Sequence, residues 1–273
     1  NLSLFNTDWY IDQMKRTTYD AAPIPSSLKK EEYRASGKAY TAIIQNPKLS
    51  DKFTDVDMIM DFVTETGPNY KRETFRKGRL DNYIPTRKLK LKVDKEKAKL
   101  FVPEKLHDKI VDEIKWQLND RVLYKNKLMV LDILANFNWD RPIYFATTVG
   151  RDNFMGLEKY FQLEGLAYRF VPYLSNNSDV QIGEINTERM YENLMNNFQW
   201  GGLNNPNLDY DETNIIMVKN YRYIYSRLAE SLFKKGEKEK AIKVLDKCMQ
   251  AFPKDIIELS YFSTPIIDIY FKL

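Results

Sequence analysis

From Ile215 to the end of the chain, apolar residues recur at helical spacing with one interruption, at Lys235-Gly236. Tyr225, Leu228, Ala229 and Leu232 share a face before the break, and Ala241, Leu245 and Cys248 share one after it. Two helices joined by so short a link must fold back on one another. Ala229 and Ala241 let the two backbones approach, Gly236 frees the turn, and Pro253 ends the second helix.

These positions fit the roughly 34-residue template of tetratricopeptide repeats when it begins at Arg222. Ile256–Leu273 then reads as the first helix of a second repeat, cut short. Such pairs need neighbours to bury their faces, so this one is expected to dock on the rest of the chain or on sequence outside it.

The N-terminal part reads as alternating strands and helices. Asn1–Phe5 is expected to be a buried strand, followed by cap chemistry at Asn6-Thr7-Asp8 and a helix to about Thr18 that carries Trp9 and Tyr10. Val56–Val63 predicts a helix and Tyr70–Arg79 a basic surface loop. Arg87–Val93 alternates strictly, with Leu89, Leu91 and Val93 on one face and Lys88, Lys90 and Lys92 on the other. That pattern predicts a half-exposed strand whose lysines guard a sheet edge. Ile110, Ile114 and Leu118, beside Val111, form a helical stripe, and Leu128–Ala135 is apolar enough for a buried helix. A turn at Asn136–Asp140 leads into Arg141–Ala146, a central strand by its composition. Tyr160–Val171 fits strands and a helix equally. Met190, Leu194 and Phe198, with Tyr191 and Met195, mark a helix stopped by Trp200-Gly201-Gly202. The resulting fold class is α/β (mixed α+β) over residues 1–209, followed by a tetratricopeptide-like helical hairpin part over residues 210–273.

The 273 residues carry a single cysteine, Cys248, and a single histidine, His107. An internal disulfide framework, cysteine-cluster zinc and any metal site needing two imidazoles are thereby excluded. No cofactor is expected: neither a phosphate-binding glycine loop nor a Gly-x-Ser-x-Gly elbow is present. The net charge of +4 does not point to nucleic acid. No apolar run reaches the roughly 18–20 residues that span a bilayer, and the residues from Asn1 onward carry no signal-peptide pattern. The chain opens on Asn1 rather than Met, as expected of a piece cut from a longer protein.

The side chains that chemistry could use each have a structural alternative. Asp55-Val56-Asp57 resembles the Asp-x-Asp metal motif of nucleotide-sugar transferases, but the helical pattern after it reads the pair as first-turn acids. Lys71–Lys99 holds twelve basic and four acidic residues, leaving 30 basic against 34 acidic elsewhere. This localised charge suits anionic lipid, an acidic glycan or a phosphorylated carrier, or else a solvated edge. Trp139-Asp140-Arg141 and Trp200-Gly201-Gly202 put an indole at the end of an element, either to stack on sugar or to cap the core. His107 reads as a surface or helix-start residue, and Cys248 as a small core residue. The candidate binding residues are Trp9, Tyr10, Trp139, Arg141, Trp200, Lys88, Lys90 and Lys92; the residues alone assemble no catalytic or metal set.

Several stretches carry a family resemblance. They are Asn1–Met14 (NLSLFNTDWYIDQM), Leu123–Asn136 (LYKNKLMVLDILAN), Trp139–Ala146 (WDRPIYFA), Gly156–Arg169 (GLEKYFQLEGLAYR) and Asn196–Gly202 (NNFQWGG). Together they resemble the C-terminal soluble region of a bacterial family of multi-span membrane proteins of unknown function. That family is similar to protein O-mannosyltransferases, GT-C type membrane glycosyltransferases that use lipid-linked sugar donors. The resemblance implies that a membrane-spanning core precedes Asn1 and that the catalytic carboxylate lies in it. This chain would then sit on the periplasmic side, attached to the inner membrane.

The expectation that follows is a non-catalytic extracytoplasmic domain. Its partners would be its own membrane-spanning N-terminal region, an acceptor protein or glycan, or an anionic lipid surface, with no nucleic acid. The rivals are a stand-alone carboxylate- or metal-dependent enzyme using Asp55, Asp57, Glu158 or Glu164, and a repeat-type adaptor holding a peptide on the Tyr225–Leu245 helices.

Overall fold

The computed structural model describes residues 2–17, 20–34, 40–75, 77–175 and 181–272. The chain forms two compact units, Asn1–Ile143 with Thr148–Tyr160 and Val171–Leu174, and Tyr144–Thr147 with Phe161–Phe170 and Ser175–Leu273. The helical stretch beyond residue 209 thus shares a unit with a sheet rather than standing apart.

The first unit contains helices α1 (Asp8–Met14), α2 (Lys30–Arg34), α3 (Val56–Thr64), α4 (Lys95–Lys99) and α5 (Lys125–Ala135). Its strands are β1 (Tyr40–Ile43), β2 (Thr54–Asp55), β3 (Lys71–Glu73), β4 (Leu80–Ile84), β5 (Lys88–Lys92), β6 (Glu113–Gln117) and β7 (Val122–Tyr124). They form two mixed sheets, ordered β3-β4-β1-β7 and β2-β5-β6.

Five expectations change here. Leu2–Asn6 is a 3-10 turn, not a strand, because the Thr7 N–H and hydroxyl both bond to the Leu4 carbonyl, at 2.8 and 2.6 Å. The helix after it stops at Met14, and Thr18 lies outside the described residues. The stripe at 110–118 is a strand: Ile114, Trp116 and Leu118 are buried at every second position, a period of two. Tyr70–Arg79 is part of a hairpin, with β3 paired antiparallel to β4. Finally, β5 is the central strand of its sheet, where Leu89 and Leu91 pair with Trp116 and Ile114. α3 and α5 form where the pattern placed them, and α5 also buries Lys127 and Asp132.

The second unit contains β8 (Tyr144–Ala146), β9 (Phe161–Leu163), β10 (Ala167–Phe170) and β11 (Glu184–Ile185), ordered β11-β9-β10-β8. β8 is therefore an edge rather than a central strand. Tyr160–Val171 resolves into the β9–β10 hairpin. Its turn needs Gly165, at φ +124°, because an added Cβ would lie 2.9 Å from the Phe198 ring.

Helix α6 (Thr187–Glu192) runs into a π-helical turn, Asn193–Asn197. α7 (Glu212–Lys234) and α8 (Lys238–Ala251) form the helical hairpin, with Tyr225, Leu228, Ala229, Leu232, Ala241, Leu245 and Cys248 all buried. Its turn is a Schellman closure: Gly236, at φ +79°, donates to Phe233 O (2.9 Å) and Glu237 to Leu232 O (2.9 Å). The last helix, α9, spans only Thr264–Lys272. The expected helix from Ile256 does not start there because buried Arg222 draws the carbonyls of Ile257 (2.6 Å) and Glu258 (2.9 Å) towards its guanidinium.

Candidate functional site

The candidate side chains do not converge. Trp9 stands 58 % exposed on α1, edge-on to Tyr10 at 5.7 Å, while Tyr10 is half-buried against Phe5. Trp139 is buried, stacks near Phe137 at 4.6 Å, and donates its indole N–H to Lys92 O at 3.2 Å. It walls the core and offers no open face. Arg141 donates to the carbonyls of Ala22 and Pro23, so it fixes the chain after α1.

The lysine face of β5 is only partly open. Lys90 and Lys115 sit opposite each other across the ladder, an arrangement that like charges disfavour. Glu113 resolves it, 2.6 Å from Lys90 and 3.1 Å from Lys115, and Asp55 adds a third contact 3.6 Å from Lys90. Lys88 lies 4.0 Å from Asp51, and Lys92 is exposed. This pairing is what allows a lysine-rich strand to be central.

The Lys90 and Lys115 hydrogen bonds hold the Glu113 pKa below the ordinary carboxylate range. A carboxyl depressed on folding contributes stability above its unfolded pKa, about 4.3, and loses it as pH falls through the lower folded value. Glu113→Gln is therefore expected to melt below the wild type at about pH 7 and to converge with it at about pH 2. A gap in melting temperature that persists in acid would contradict this assignment.

The carboxylates of the enzyme reading are engaged structurally. Asp55 turns to Lys90 and makes no cap bond, while Asp57 accepts from the Met58 N–H at 2.7 Å, on its own helix. Glu158 faces Arg151 at 4.0 Å. Glu164 is buried and accepts from Tyr144 OH (3.0 Å) and Asn186 Nδ2 (3.1 Å), with Arg169 at 3.6 Å. Burial first, then the Glu164 charge, raises the Tyr144 pKa. Among the described residues, no group of three His, Cys, Asp or Glu is placed to hold a metal ion. His107 donates Nε2–H to Val102 O at 2.9 Å from a 3-10 segment, Glu104–Lys109. Burial pushes the Cys248 thiol up to about 12, which leaves it unreactive.

Trp200 differs from these residues. Half-buried, it packs against Tyr221 (4.9 Å), Phe252 (5.0 Å) and Tyr225 (5.8 Å), and also lines a surface cleft of about 340 Å3. Gln199, Asn204, Gln250 and Lys247 share the cleft's rim. The loop holding it is stapled by Tyr210, whose hydroxyl reaches Gly202 O (3.0 Å) and Asn205 O (2.8 Å). The π-helical turn leads into this loop, and Phe198 N–H closes on Asn193 O at 2.8 Å. An aromatic residue beside amides and one cation gives the cleft apolar surface and hydrogen-bonding groups of the kind a sugar's ring carbons and hydroxyls can use.

A separate groove of about 590 Å3 is lined by Leu208, Tyr210, Ile215 and residues 255–260. It lies at the start of α7, not on the Tyr225–Leu245 stretch where the rival adaptor reading would hold a peptide. The sequence singles out Trp200 but not its amide partners; the signal for Gln199 and Asn204 was the run of Asn and Gln from Asn196 to Asn207, and Gln250 had none.

No curated protein and no solved structure matches the chain. The family described as TMEM260-associated domain 2 matches residues 1–189, more than half of the chain, ending before the α7–α8 hairpin. The chain belongs to the TMEM260-associated domain 2 family.

Proposed function

We propose that this chain is the non-catalytic extracytoplasmic domain of a membrane glycosyltransferase similar to protein O-mannosyltransferases, and that it binds acceptor glycan or glycosylated acceptor protein in the Trp200 cleft. The observation that carries the reading is the cleft that Trp200 lines together with Gln199, Asn204 and Gln250. The family name supports it by tying the domain to TMEM260, and the stretches quoted above resemble a family similar to protein O-mannosyltransferases. The engagement of Asp55, Asp57, Glu158 and Glu164 in local contacts supports a binding role over chemistry. In this reading the domain sits on the periplasmic side, its α7–α8 hairpin is tetratricopeptide-like, and the transferase core is membrane-embedded. Among the described residues, no helix is long and apolar enough to cross a membrane.

The test is titration of the chain with a mannosylated serine/threonine peptide and with the unmodified peptide. Trp200 also packs the core, so the diagnostic variant is Asn204→Ala/Gln250→Ala, at two rim positions. It is expected to weaken glycopeptide binding about tenfold, from the loss of two neutral hydrogen bonds, without moving the melting temperature. Equal binding by variant and wild type would refute the cleft, and sugar transfer by the isolated chain would refute the non-catalytic role.

A further inference from the structure

The positive charge of residues 71–99 divides in two on folding. From Lys88 onward it is largely matched: Lys88 by Asp51, Lys90 by Asp55 and Glu113, Lys95 by Asp112 at 2.7 Å, Lys97 by Asp94 at 3.9 Å and Lys99 by Glu96 at 2.7 Å. The β3–β4 hairpin keeps its excess. Lys71, Arg72, Lys77 and Arg79 stand there against Glu73 and Asp81. Glu73 accepts the Gly78 N–H at 2.7 Å, and Asp81 holds Arg79 at 3.1 Å and Thr74 at 3.3 Å. These acids brace the turn. Arg72 lies over the Tyr83 ring at 5.6 Å, which keeps it on the hairpin's flank.

Between these cations the hairpin exposes two large apolar side chains, Phe75 at 68 % and Leu80 at 60 %. Leu80 opens β4 opposite Glu73, the last residue of β3, so both apolar groups lie at the turn end of the ladder. An acidic protein partner would engage the cations and leave Phe75 and Leu80 without a role. A purely apolar partner would have to desolvate the cations. The interfacial region of an anionic bilayer accepts both together, with apolar groups at the acyl boundary and Lys/Arg at the phosphates.

We propose that the β3–β4 hairpin docks on an anionic lipid surface, inserting Phe75 and Leu80 while Lys71, Arg72, Lys77 and Arg79 meet the headgroups. The proposal is independent of the glycan reading, because the hairpin lies in the other unit and lipid binding is read without sugar.

The test is co-sedimentation of the full chain with vesicles of phosphatidylcholine alone and with phosphatidylglycerol added. Binding is expected only with the anionic lipid and should weaken as salt rises. Phe75→Ser/Leu80→Ser and Lys77→Gln/Arg79→Gln are each expected to weaken it about tenfold. Lys97→Gln/Lys99→Gln, in the matched half, should not. Phe75→Trp should show a blue-shifted emission on adding anionic vesicles. Equal binding to both vesicle types, or undiminished binding by Phe75→Ser/Leu80→Ser, would overturn the proposal. So would lipid-free self-association abolished by that variant, which would mean that a second copy of the chain covers the patch.

Discussion

Replacing Arg222 with methionine is expected to lower the unfolding free energy of the second unit by about 3–5 kcal/mol. The guanidinium is fully buried on α7 and donates to the carbonyls of Phe252 (2.8 Å), Pro253 (3.3 Å), Ile257 (2.6 Å) and Glu258 (2.9 Å). Each carbonyl stranded in the interior costs about 1–3 kcal/mol. The loss stays below the sum because burial already disfavours the charged guanidinium and holds its pKa below the ordinary arginine value. Removing the charge relieves that penalty. Lysine should rescue less than half of the loss: its ammonium has three donors, not a planar fork, and is more strongly hydrated. Denaturant titration would give the magnitude, and faster amide exchange across residues 253–260 would locate it. A loss under about 1 kcal/mol would mean that the loop is held by something else.

Asp132→Ala should cost the first unit about 3–4 kcal/mol. The carboxylate is fully buried on α5 and accepts from Ser26 Oγ, Ser27 N (3.2 Å), Ser27 Oγ (2.7 Å), Leu28 N (3.5 Å) and Asn136 Nδ2 (3.1 Å). It is the anchor of an irregular stretch with no sheet or helix of its own between residues 22 and 29. Asp132→Asn should lose nearly as much, because its amide turns donors towards groups that are themselves donors. Ser26→Ala removes one partner and should cost only about 1 kcal/mol. Limited proteolysis within residues 22–28 should accelerate in the Asp132 variants. Unchanged cleavage alongside lost stability would show that the anchor holds the helix and not the segment.

Both effects rest on buried polar groups, and neither was legible in the sequence. Arg222 served to start a repeat template and Asp132 lay within an apolar run, but nothing in the spacing of a helix tells which polar side chain turns inward. Patterns that depend on one element alone read correctly. Val56–Val63, Leu128–Ala135 and the α7–α8 hairpin formed because each repeats its apolar residues at helical period and ends on suitable turn chemistry. Leu89 and Leu91 likewise alternate on a strand. Readings that needed the neighbour failed. Lysines on β5 implied an edge until Glu113 and Asp55 supplied countercharge from the two flanking strands, and Ile114 looked helical because Trp116 was left out of the pattern. The candidate site shows the same split: Trp200 stood out alone, while Gln250 reaches the cleft from α8, fifty residues further along the chain.

The sequence by itself determined the scarcity of histidine and cysteine, the helical period of the C-terminal stretch and the local excess of charge at 71–99, since these are properties of residues and their immediate neighbours. The tertiary structure decided which charges are cancelled, which carbonyls Arg222 gathers, and which aromatics line a cleft. Those outcomes depend on distances of a few ångströms between segments distant in the chain, where burial turns a small misplacement into kilocalories.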